Sequence, residues 1–159
     1  MAKRKIAPFL WFDEKAGKVA KFYTSVFRRS KIIDLTILSD TPSCSIEVAN
    51  IELFGQQLTL MGPGAPTKLN ESTSLVVGCE TQREIDYYWK RLSAAPEAEQ
   101  CGWLKDKYGL SWQIVPTELS RMLSDKDQKK VARVTEAFLK MKKFDISALK
   151  KAYAGQNGR

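Results

Sequence analysis

Apolar residues along this chain follow two periods that alternate in a set order. Ile6 to Phe12 is a nearly continuous apolar run with Pro8 near its start, and it predicts a strand. Asp13 reads as the N-cap of a helix from Glu14 to about Phe27, where Ala16, Ala20, Tyr23 and Phe27 return every three or four residues. Val19 and Val26 widen that stripe, and Arg28-Arg29-Ser30 closes it. Ile32 to Leu38 is rich in β-branched and aliphatic residues and predicts a strand, followed by the turn residues Asp40-Thr41-Pro42-Ser43. Ser45 to Leu53 alternates apolar and polar residues, as a strand with one wet face does. After Phe54-Gly55-Gln56, Gln57 to Met61 completes a hairpin, and Gly62-Pro63-Gly64-Ala65-Pro66 reads as linker.

The second half repeats the order. Ser74 to Glu80 predicts a strand, and Thr81-Gln82-Arg83-Glu84 has the form of a capping box. The helix it opens runs to about Ala94, with Ile85, Tyr88, Trp89 and Leu92 on one side, until Ala95-Pro96 ends it. Strands are predicted at Cys101 to Lys105 and Leu110 to Val115, joined by a turn at Asp106-Lys107-Tyr108-Gly109 in which Asp106 is a turn residue. Glu97 to Gln100 is ambiguous, so this half offers one strand fewer. An offset of 68 residues carries Phe12-Asp13 onto Glu80-Thr81, strand end onto helix cap. The fold class is therefore α+β: two βαβββ modules, 1–64 and 65–116, with a helical extension over 117–159. A sheet of three or four strands has one apolar face and curls, so two such modules are expected to form half-barrel sheets with a cavity at the mouth. In the extension, helices are predicted near Thr117–Ser124, Asp127–Lys143 and Ile146–Ala154, with Asp145 as a cap and Gly155 as a stop.

Charge changes the picture at one end only. The formal net charge is +8, yet residues 121–159 hold 11 Lys+Arg against 4 Asp+Glu while the rest is nearly balanced. Val131, Val134, Phe138 and Met141 recur at helical spacing there, so the lysines read as the solvated side of a core-facing helix and do not point to nucleic acid. No run approaches the roughly 18 apolar residues of a membrane span, and a short apolar stretch after Met1-Ala2-Lys3-Arg4-Lys5 lacks a cleavage site. The expectation is a cytoplasmic protein with no membrane partner. Cys44, Cys79 and Cys101 are widely spaced, with no CxxC pair, and read as reduced thiols.

The run Pro8-Phe9-Leu10-Trp11-Phe12-Asp13 with Phe22-Tyr23-Thr24-Ser25-Val26-Phe27 resembles the first module of PhnB-like proteins of the vicinal oxygen chelate (glyoxalase/bleomycin resistance) superfamily. Gln100-Cys101-Gly102-Trp103-Leu104-Lys105-Asp106-Lys107-Tyr108-Gly109-Leu110-Ser111-Trp112-Gln113-Ile114-Val115-Pro116 resembles its closing strands, and Leu69-Asn70-Glu71 its entry to the second module. That branch often carries the label 3-demethylubiquinone 3-methyltransferase, although no Gly-rich strand-to-helix turn is present to hold S-adenosylmethionine. The resemblance also implies a His/Glu/Gln set chelating a divalent metal. This chain has no histidine, and its equivalent stretches offer Phe9 to Trp11, Thr59 to Met61, Ser74 to Val76 and Trp112 to Ile114, with Gln113 where a strand glutamate commonly lies.

Neither metal nor cofactor is therefore expected. What remains is an aromatic-rich cleft, with Trp11, Met61, Trp103, Tyr108 and Trp112 contacting a planar or apolar small molecule and Asn70, Ser74 and Gln113 orienting it. Cys101 as a nucleophile has no histidine base, and Asp13-Glu14 is explained by capping. The alternative is an enzyme on the same scaffold, working through non-histidine groups or an unrecognised cofactor. Incomplete sheets leave edges that a second chain can pair, so a homodimer is expected.

Overall fold

A computed structural model describes residues 6–42, 44–63 and 68–156, with Cys44 described in its backbone only. The predicted linker residues Gly64-Ala65-Pro66, the basic start and the Cys44 thiol lie outside the described residues. The chain divides into two compact units, Met1–Leu69 and Asn70–Arg159. The C-terminal helices thus belong to the second unit. No helix among the described residues is long and apolar enough to cross a membrane.

The first unit runs β1 (Phe9–Trp11), α1 (Ala16–Val26), β2 (Ser30–Thr41), β3 (Cys44–Leu53) and β4 (Gln56–Gly62). Its four strands lie in the order β1-β4-β3-β2, with β1 parallel to β4 and the other pairs antiparallel. Side chains alternate across a strand, so one face carries Leu10, Ala49, Ile51, Leu53, Leu58 and Leu60, all buried with Ala16, Val19, Ala20 and Tyr23 of α1. Each large aliphatic group so buried is worth about 1.5–3 kcal/mol. The helix begins two residues later than its sequence suggests. Asp13 is exposed and does not cap it. Its N-terminus is held from a distance: Gly17 N donates to Glu47 Oε2 on β3 at 2.9 Å. Glu14 accepts from Lys15 N at 3.0 Å and pairs with Lys18 at 2.5 Å, which lowers its carboxyl pKa.

The second unit runs β5 (Ser74–Cys79), α2 (Gln82–Leu92), β6 (Trp103–Lys105), β7 (Ser111–Pro116), α3 (Leu119–Leu123), α4 (Gln128–Leu139) and α5 (Ile146–Ala154). Its sheet has three strands, ordered β5-β7-β6, with β5 parallel to β7 and β6 antiparallel to it. Among the described residues a βαβββ module is not completed. Pro96–Ala98 form one 3-10 turn and Gln100 makes only an isolated bridge to Trp103 where a further strand would lie. That side of β6 is occupied otherwise: Ala94 N donates to Lys105 O, and the next residues turn away to donate from Cys101 N to Met141 O and from Gly102 N to Lys142 O. The capping box forms as its sequence predicts, Glu84 N donating to Thr81 Oγ1 and Thr81 N to Glu84 Oε2 at 3.2 Å each. Asp145 caps α5 by accepting from Ala148 N, and Gly155 ends it in the left-handed region at φ +76°.

Candidate functional site

Each sheet has one face packed on its own helix and one open face, and the open faces collect most of the polar and aromatic residues of the strands. In the first unit, β1 and β4 pair Phe9 with Thr59 and Trp11 with Met61, while β3 sets Asn50 beside Thr59 and Val48 beside Met61. Two rows result across the strands. One is apolar: Trp11, Met61 and Val48, all half-buried. The other is polar: Thr59 Oγ1 donates to Asn50 Oδ1 at 2.7 Å, and Asn50 Nδ2 donates to Asp34 Oδ1 of β2 at 2.8 Å. Phe9, 57% exposed, flanks the second row on β1. Trp11 Nε1 is shielded from solvent and has no hydrogen-bond acceptor among the described residues.

Asp34 owes its place to a β-bulge. The pairing of β2 with β3 slips by one residue between Ile32 and Asp34, so Ile32 faces Ile51 but Asp34 faces Asn50. An uninterrupted ladder would set Asp34 opposite Ala49, on the helix-packed side. One extra residue swings the carboxylate to the open face. Asp34 and Asn50 are absent from the residues singled out in the sequence, and Thr59 stands there only as the start of a stretch equivalent to a ligand strand. The signal lies in the doublet Ile32-Ile33, where the polar–apolar alternation of Lys31-Ile32 and Asp34-Leu35-Thr36-Ile37 loses phase.

On the open face of the second unit, β5 contributes Ser74 and Val76, β7 contributes Gln113 and Val115, and β6 contributes Trp103 and Lys105. Gln113 Nε2 donates to Ser74 Oγ at 2.9 Å, and Trp103 stands opposite Gln113 in the ladder. Lys105 reaches Glu71 at 2.6 Å, and that hydrogen bond lowers the Glu71 carboxyl pKa. Trp103, Ser74 and Gln113 therefore share one surface, as do Trp11 and Met61 on theirs.

Three other expected site residues do something else. Trp112 is one residue out of phase with Gln113, so it points into the core and is 2% exposed. Its Nε1 donates to the buried Asp106 Oδ2 at 2.8 Å, and Asp106 Oδ1 accepts from Tyr108 N and Leu110 N. Asp106 is thus a turn residue, as its sequence suggests, and a core anchor as well. Tyr108 sits within that turn, with the Lys107 ammonium 5.1 Å from its ring centre. Asn70 builds a turn ahead of β5, accepting from Ser72 N and Ser72 Oγ.

The residues present do not fit a chelated metal. The stretches that would carry ligands show Phe9, Trp11, Thr59, Met61, Ser74 and Gln113, and no three His, Cys, Asp or Glu side chains converge among the described residues. Nor do they fit S-adenosylmethionine. The strand-to-helix turns read Phe12-Asp13-Glu14-Lys15 and Glu80-Thr81, without the glycines that let a backbone approach a nucleotide. Burial of Cys79 pushes its thiol up to about 12, so it is inert at neutral pH. Cys101 is half-buried and its thiol donates to the Phe138 carbonyl at 3.6 Å. Two hollows lie elsewhere: one of about 330 Å³ between α1 and β2, lined by Lys15, Lys18, Lys21, Ile32, Leu35 and Glu47, and one of about 590 Å³ beside the starts of α2 and α5.

Comparison with known proteins agrees with the fold. No curated protein matches the chain. The PhnB protein of Bacillus cereus is 31% identical, covers 72% of this chain and 100% of its own, and superposes with a TM-score of 0.58. A protein from Pseudomonas aeruginosa, 14% identical over 70% of this chain and 96% of its own, gives 0.56. The fosfomycin resistance protein FosX of Listeria monocytogenes, 15% identical over 79% of this chain and 100% of its own, gives 0.53. These last two share the fold, and FosX has been crystallised with Mn(II). The profile of the 3-demethylubiquinone-9 3-methyltransferase family matches residues 4–115. The chain therefore belongs to that family, the PhnB-like proteins, and shares its fold with FosX.

Proposed function

We propose that this protein binds a small molecule with a planar, largely apolar body on the open faces of its sheets, without a metal, and that it does so as a homodimer. The observation that carries the reading is the open face of the first unit, where Trp11, Met61 and Val48 form an apolar row beside a hydrogen-bonded polar row. Binding sites combine these two elements, apolar area for affinity and a few placed polar groups for orientation. Trp11 Nε1 adds to it, because a buried donor without an acceptor costs about 1–3 kcal/mol and a ligand oxygen placed there would recover that. Trp103, with Gln113 tied to Ser74, offers a similar surface in the second unit.

The dimer reading rests on β2. This strand is twelve residues long and lies at the edge of its sheet. Ile32, Ile33, Leu35, Ile37 and Leu38 are 38–60% exposed, which is the sort of edge that proteins pair or cover. Antiparallel pairing with a second copy sets Arg28, Arg29 and Lys31 of one chain near Asp40 of the other, whereas parallel pairing would stack the basic ends together.

A ligand-observed NMR screen of aromatic compounds, run with and without EDTA, tests the binding reading. Hits are expected to survive EDTA and to weaken about tenfold in Met61→Ala. A requirement for added divalent metal, or a set of hits indifferent to both Met61→Ala and Trp103→Ala, overturns it. Light scattering at micromolar concentration should give twice the chain mass, and Ile37→Lys should halve it; a wild-type monomer sinks the dimer.

A further inference from the structure

Resting on that reading of the first unit's open face, we infer that its ligand carries an amine, and that Asp34 is the counter-charge that selects it. Three observations lead there. The bulge at Ile33 turns Asp34 out of the helix-packed side and onto the face that holds Trp11, Met61 and Val48. Bulges recur beside binding sites because they re-aim one side chain without rebuilding a strand. The carboxylate is also held. Thr59 donates to Asn50 and Asn50 donates to Asp34, a chain across three strands that fixes Oδ1 and leaves Oδ2 without a protein partner among the described residues.

The surrounding charge sharpens the choice. Among the described residues, the other charged side chains in line on this face are Glu52 and Lys31, which stand opposite each other and come within 3.7 Å, so they offset one another. The site is therefore locally acidic in a chain of net charge +8. Screening at physiological salt confines the distant lysines to a range of about 8 Å, so the near carboxylate decides which ligand is favoured. An ammonium donates well to a carboxylate, and its apolar body lies along the neighbouring row; a carboxylate ligand would meet Asp34 as a like charge. Asn50 and Thr59 act as positioning residues, since they reach the ligand through Asp34.

Isothermal titration with tryptamine, 3-methylindole and indole-3-propionate keeps the ring constant and changes the charge. Tryptamine is expected to bind at least tenfold more tightly than 3-methylindole, with indole-3-propionate weakest. Asp34→Asn, at an exposed position, should bring tryptamine to within about twofold of 3-methylindole. Thr59→Val should cost tryptamine about threefold more than it costs 3-methylindole, a split that general damage to the face would not produce. Equal binding of the amine and the neutral ring, or no effect of Asp34→Asn on their ratio, overturns this inference and leaves the binding reading standing. Failure of all three probes overturns both.

Discussion

The two units begin alike, strand then helix, and then manage the far edge of the sheet in opposite ways. In the first, β2 supplies a fourth strand and stops there, exposing a row of aliphatic side chains. In the second, the fourth strand is replaced by one turn of 3-10 helix and a single bridge, and the segment linking α4 to α5 takes the next backbone donors, from Cys101 and Gly102. The hairpins differ as well. Phe54 and Gly55, both at positive φ, close β3 onto β4 with two residues, the compact solution for a twisted ribbon. Between β6 and β7 the turn is longer and is organised by a buried carboxylate. One unit thus leaves its edge strand exposed, and the other seals its edge with its own chain.

The sharpest way to break that comparison is at Asp106. Asp106→Ala would strand three donors, two backbone N–H groups and the Trp112 indole, inside the second unit. The expected loss is about 3 kcal/mol or more in urea unfolding. Asp106→Asn, which keeps one acceptor, should lose less; equal losses would mean that size and not hydrogen bonding matters there. Next come the glycines. Gly102 has φ +82°, and a Cβ there would lie 2.3 Å from the Phe144 ring, so Gly102→Ala should cost about 3 kcal/mol from backbone strain and overpacking together. Gly55 has nearly the same φ, +78°, with nothing within 4 Å of a Cβ. Gly55→Ala should therefore cost only the strain, about 1–2 kcal/mol. Matching losses at the two positions would show that the C-terminal segment does not press on Gly102. The smallest contrast is at the helix starts. Thr81→Ala removes a side-chain cap and should cost about 1 kcal/mol, whereas Asp13→Ala, which caps nothing, should stay within about 0.5 kcal/mol by thermal melting.

Much of this was legible in advance, and the reason is locality. The capping box at Thr81, the Asp145 cap and the Gly155 stop are written within a few residues, and all three form. Helical stripes and strand alternation placed the elements of both units to within a few residues. The cap of α1 was not legible, because its acceptor is Glu47, thirty residues away on β3. Asp13 had the right chemistry in the right place and lost to a carboxylate brought in by the sheet. Trp112 and Gln113 show the same limit at the site. Adjacent strand residues look equally eligible as letters, yet one lies in the core and the other on the open face. Asp34 is the clearest case, since a single inserted residue decides which face it serves.

By itself the sequence determined the family, the α+β order of elements, and a donor set without imidazole, because all of these depend on residue identity and short-range spacing. Only the tertiary structure decided which face each side chain occupies, that Asp34, Asn50 and Thr59 form one connected row, and that the second sheet stops at three strands. Face and partner depend on register between strands far apart in the chain, and a shift of one residue reverses both.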